Sequence, residues 1–124
     1  MLGKIILWIS TISFISYGLT SLFSPEVPAG YAGLSMTNGD AYAEIGAMYG
    51  GLQTGFGLFL LLGILQADLY RPALGLLVMV IGSLALGRLY STIGATDPVG
   101  VYTYGAMAFE FTIAILAGLA LRKH

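Results

Sequence analysis

The sequence has no cysteine. That absence excludes disulfides, thiolate metal sites, iron–sulfur clusters and a cysteine nucleophile. Histidine occurs once, as His124, so no Ser–His–Asp set, HExxH helix or bis-histidine haem site can be assembled. No P-loop is present, nor a GxGxxG turn after a strand. Charge is scarce as well. Charged residues make up 9% of the chain, against about 25% in an average soluble domain. Five Lys or Arg against six Asp or Glu leave a net charge of −1, which excludes electrostatic binding of nucleic acid.

What is present is apolar. Hydrophobic residues make up 57% of the 124, and mean hydropathy is +0.88. That leaves too little polar surface for a soluble monomer and too much apolar surface for a disordered chain. Four segments each reach about 20 residues, enough to cross a hydrocarbon core about 30 Å thick. The first runs from Ile5 to Phe23 and stops at Ser24-Pro25, where the residue before proline leaves helical geometry. The second runs from about Ala41 to Leu65, with Thr37 or Asp40 as its expected N-cap. The third is expected to open on Pro72 as its first helical residue and to run to about Thr92. The fourth is expected to follow an Asp97 cap, starting at Pro98 and ending at Leu121. The expected fold class is therefore all-α, a four-transmembrane-helix bundle in a single integral membrane domain.

Glycine is frequent, with 18 residues, as suits close helix packing in lipid. Gly46/Gly50 and Gly51/Gly55 show the GxxxG spacing; tight packing within the bundle and a homo-oligomer face are the two readings. Tyr49-Gly50-Gly51 with Gly63, and Tyr104-Gly105-Ala106 with Gly118, repeat at a constant offset of 55 residues. Two parallel-repeated helical hairpins and chance similarity both fit that offset. Lys4, Arg71, Arg122 and Lys123 fall at the ends expected to be cytoplasmic, whereas Glu26, Asp40 and Asp97 fall in the other two loops. The positive-inside rule then places both termini in the cytoplasm of an inner membrane. A cleaved signal peptide is the rival reading of the first segment, against which stand its length and Pro28 beside the scissile position. The long loop from Ser24 to Asp40 reads either as a cap over the outer mouth or as an interfacial tether. Tyr31, Tyr42, Tyr70, Tyr90, Tyr102 and Tyr104 fall near span ends, as in aromatic belts.

Ionisable groups within spans face the protein interior and have partners. Glu44, Arg88 and Glu110 are the three here. Thr103, Ala106, Glu110, Ala114 and Ala117 share one small-residue stripe, so Glu110 is expected to point into the bundle. Ser10, Ser13, Tyr17, Thr20/Ser21 and Ser24 form a hydroxyl seam on the first span. The candidate polar pocket thus consists of Arg88 and Glu110, lined by Glu44, Tyr49, Gln53 and Tyr17, in the outer half of the membrane. The alternative is an Arg88–Glu110 ion pair that only sets helix register, with Glu44 as an exposed end residue. No catalytic set and no metal site emerge, and no cofactor is specified.

At these same residues the chain resembles the domain-of-unknown-function 4345 family, small four-helix integral membrane proteins of bacteria. The resemblance is carried by Glu44 with Tyr49-Gly50-Gly51, by Gly87-Arg88-Leu89 and by Glu110. Members it resembles often carry a basic residue shortly after the Glu44 position; Ile45-Gly46-Ala47 supply none here. The resemblance implies the four-helix fold and adds nothing about activity. A more distant architectural similarity is to DoxX-like and sterol-pathway scaffold proteins. The expected role is non-enzymatic: binding of a lipid-like small molecule, or service as an accessory subunit of a membrane enzyme. The expected partners are membrane lipids, a second copy of the chain or a membrane enzyme. A small transporter or proton-linked carrier is the first rival, and a lipid-modifying enzyme using Glu110 the second. The apolar inner half, Leu58 to Ile64 and Ala114 to Leu121, counts against the carrier.

Overall fold

A computed structural model describes residues 1–123; His124, the single histidine, lies outside the described residues. Every regular element among them is helical. α1 is Leu2–Phe23, α2 is Glu26–Ala32, α3 is Gly39–Leu65, α4 is Ala67–Gly94 and α5 is Val101–Arg122. α1, α3, α4 and α5 are each long and apolar enough to cross a membrane. The all-α class and the four spans are as the sequence leads one to expect, and the protein is an integral membrane protein.

The chain forms two compact units. One comprises Trp8–Leu61, the other Met1–Leu7 with the chain from Leu62 onward. In the Trp8–Leu61 unit, α1 and α3 meet almost backbone to backbone. A Cβ on Gly50 would lie 2.6 Å from Leu22 Cα, so only a residue without a side chain fits there. Phe14 and Phe56 add an edge-to-face contact with centroids 6.4 Å apart. Of the two GxxxG pairs, Gly46 and Gly50 are therefore spent inside the unit, against Pro25 and Leu22, while Gly51 and Gly55 have open space beside them.

The long first connection is partly ordered as α2. It ends on Gly33, whose φ of 72° is the left-handed geometry that closes helices. Leu34 N–H then donates to Ala29 O across the turn at 2.8 Å. Pro28 and Ala29 are buried, while Tyr31 and Leu34 are exposed.

α1 opens at Leu2, three residues ahead of Ile5, and the other three spans also start differently from expectation. Asn38, not Thr37 or Asp40, caps α3: its side-chain oxygen accepts from Ala41 N–H at 2.9 Å. That leaves Asp40 in the first turn, where its charge meets the positive end of the helix dipole. α4 opens five residues before Pro72, which lies inside it. Gln66 in extended geometry is the only non-helical residue between α3 and α4, so Arg71 is helical rather than in a loop. Ala67, Leu69 and Arg71 favour helix, and exposed Pro72 sits near the helix start, where the carbonyl it leaves unpaired can reach water. α5 opens three residues late, at Val101 after an extended Gly100 as its N-cap, and Asp97 and Pro98 lie outside the helix.

Both central spans also carry a π-helical stretch, Gly46–Gly51 in α3 and Leu77–Ile81 in α4. In a π turn an amide reaches back five residues rather than four. Leu52 N–H accordingly donates to Ala47 O, and Gly82 N–H to Leu77 O. A hydroxyl one turn on donates to a carbonyl inside each stretch: Thr54 Oγ1 to Gly50 O at 2.7 Å, and Ser83 Oγ to Met79 O at 2.6 Å. Within hydrocarbon, side-chain hydroxyls are the groups that can satisfy carbonyls released from the α pattern. Tyr104-Gly105-Ala106, the counterpart of Tyr49-Gly50-Gly51 at the 55-residue offset, is regular α-helix.

Candidate functional site

The second half of α4 and the first half of α5 bring the strongest polar constellation together. Glu110 stands nine residues into α5, about 13 Å from its start, and Arg88 six residues before the end of α4, about 9 Å in. These depths overlap once side-chain length is added. Arg88 Nε donates to Glu110 Oε1 at 3.0 Å, and Arg88 Nη2 donates to Oε2 at 2.9 Å. This is the planar two-point fork that guanidinium and carboxylate form best. Arg88 is further seated by its own backbone: Thr92 Oγ1 donates to Arg88 O at 2.7 Å.

The pair is asymmetric. The Glu110 side chain retains 8% of its surface and that of Arg88 24%. The carboxylate is buried, with an oxygen committed to each guanidinium donor, while part of the Arg88 side chain remains exposed. The predicted stripe on α5 holds: Glu110 and Ala117 are buried and Thr103, Ala106 and Ala114 half-buried. Ala114 packs beside Gly82 of α4, where a Cβ would lie 3.7 Å from it.

The other four expected residues belong to the Trp8–Leu61 unit. Glu44 is exposed on the first turns of α3, and Tyr17, Tyr49 and Gln53 are half-buried. Tyr49 stands in the π stretch and Gln53 just after it. Of the hydroxyl seam, Ser10 and Ser21 are buried and Thr20 is exposed. Ser10, Thr11 and Ser21 hydroxyls are buried with no hydrogen-bond partner among the described residues. Thr11 lies off the seam, which is why its spacing did not single it out.

Two further features escaped the sequence. Arg71 Nη1 donates to Leu121 O at 3.2 Å, so a side chain from the start of α4 satisfies a terminal carbonyl of α5. A cleft of about 570 Å³ is lined by Met1, Lys4, Gly63, Ile64, Leu65, Ala67 and Tyr70, at the end where α1 begins, α3 finishes and α4 begins. None of the six expected site residues lines it. Both features depend on which helix ends meet, and no local spacing encodes that. Among the described residues no group of three His, Cys, Asp or Glu could hold a metal ion.

No curated protein and no solved structure matches the chain. A family model does, over residues 2–121 and thus through every helix, the Arg88–Glu110 fork and the Lys4 cleft. The chain belongs to that family, described as a domain of unknown function, DUF4345.

Proposed function

We propose that the protein holds a small lipid-like molecule within the membrane without transforming it, alone or as an accessory subunit of a membrane complex. The Arg88–Glu110 pair is the polar anchor of that site. The observation that supports this reading is the asymmetry of the fork: the Glu110 side chain is buried, while that of the Arg88 it holds keeps about a quarter of its surface. A cation so held offers a preorganised partner to a polar headgroup. A lipid-modifying enzyme or a proton-linked carrier would need a Glu110 oxygen turned toward substrate or path, and both oxygens are engaged by Arg88. The reading sets both termini in the cytoplasm of a bacterial inner membrane, since Lys4, Arg71, Arg122 and Lys123 lie toward one set of span ends. The fork then belongs to the outer half of the bilayer.

The test is mass spectrometry of what co-purifies in mild detergent, lipid and protein alike, from wild type, Arg88→Ala and Glu110→Gln. A species retained by wild type and lost from both variants supports the proposal. Unchanged retention, stability and phenotype in both variants overturns it.

A further inference from the structure

We infer that the cleft at the Lys4 end is a binding site for one anionic phospholipid, separate from the Arg88–Glu110 fork and independent of the reading above. Its lining has two chemistries in one place. Gly63, Ile64, Leu65, Ala67 and Met1 give an apolar wall, and Lys4 and Tyr70 give an ammonium and a phenol. An apolar wall with a few polar groups at one end is the pattern of an amphiphile site, and about 570 Å³ is within the range of small-molecule pockets. It holds a headgroup and the first part of a chain.

Position selects the occupant. Lys4 is in the first turn of α1, Ile64 and Leu65 end α3, and Ala67 and Tyr70 are in the first turns of α4. These are span ends, the level at which phosphate headgroups lie and toward which lysine extends its ammonium. Charge selects further. Lys4 is exposed, and the only acidic residue near the lining in sequence, Asp68, is not part of it. Arg71, whose side chain reaches Leu121 O, adds a second cation to this unit's end. Basic groups at that level attract anionic over zwitterionic lipid.

Packing keeps the cleft in shape. A Cβ on Gly3 would fall within 2 Å of the Tyr70 hydroxyl, and one on Gly63 would strike the Ala73 side chain. Both glycines let the three helix ends close around the cleft while Tyr70 stays at its wall.

The experiment is native mass spectrometry of the full chain released from nanodiscs of phosphatidylglycerol and phosphatidylethanolamine in equal parts with matched acyl chains. Wild type is expected to retain one phosphatidylglycerol in preference to phosphatidylethanolamine. Lys4→Gln is expected to lower that preference about fivefold, the worth of one basic group near an anionic surface. Ala67→Trp, which fills the cleft without altering charge, is expected to remove the bound lipid. Arg122→Gln, outside the lining, and Arg88→Ala, at the fork, are expected to leave it in place. Equal retention of the two lipids overturns the inference. So does an Arg122→Gln loss as large as that of Lys4→Gln, unchanged binding in Ala67→Trp, or displacement by inorganic phosphate alone. Because Arg88→Ala is read separately, failure here is distinguishable from failure of the proposed anchor.

Discussion

At the scale of single residues, the chemistry concentrates in one ion pair. Removing either partner leaves the other charge in a poorly solvated place, at a cost on the order of 3 kcal/mol for a buried pair. Glu110→Gln and Arg88→Ala are each expected to lower the unfolding midpoint in detergent. The Arg88→Ala, Glu110→Gln double variant is expected to lose less than the sum, as a double-mutant cycle would read. Additive losses would show that the two side chains act separately. Arg88→Lys keeps the charge but not the fork, so it too is expected to be destabilised. The pair was legible from sequence because an ionisable residue in a span calls for a partner, and Arg88 extending inward and Glu110 extending outward overlap in depth. The surroundings of Tyr17, Tyr49 and Gln53 were not legible, since helical phase places a residue on a face without saying which helix that face meets.

At the scale of elements, the decisive features are glycine contacts and π stretches. Gly50→Ala is expected to cost about 2 kcal/mol, because its Cβ would meet the backbone of Leu22 rather than a movable side-chain tip. Gly51→Ala, one residue on and facing open space, is expected to be neutral or slightly stabilising. Thermal denaturation of the two variants side by side checks this, and equal effects would mean that the α1–α3 contact is not as close as described. Thr54→Val removes a hydroxyl from a carbonyl in the first π stretch and is expected to cost about 1 kcal/mol. The spans themselves could be read from hydropathy and length. Their starts could not, because Pro72 and Pro98 suit a first helical position locally, while Gln66 and Gly100 decide where each helix opens. The π stretches left no local mark, since Gly-rich and Val/Met/Ile-rich segments both carry one.

At the scale of the whole molecule, the absence of cysteine is an experimental convenience. Single cysteines at Thr37 and Gln66 would stand beyond opposite ends of α3, about 40 Å apart along a 27-residue helix. If both termini are cytoplasmic, as we propose, Thr37→Cys reacts with an impermeant maleimide in intact cells, and Gln66→Cys only after the membrane is opened. The reverse pattern would invert the orientation. The four-span class was accessible to sequence because hydrocarbon thickness dictates segment length; the partition into two compact units was not, since it depends on contacts between distant segments. The Arg71 hydrogen bond has one more implication. The closing turn of α5 is held at its carbonyl by a cation supplied from another helix, so it is not left to fray in the way exposed helix termini do. Backbone amides there should exchange with deuterium slowly, a fusion joined after the basic tail should leave the helix intact, and Arg71→Ala should release exchange in that last turn alone.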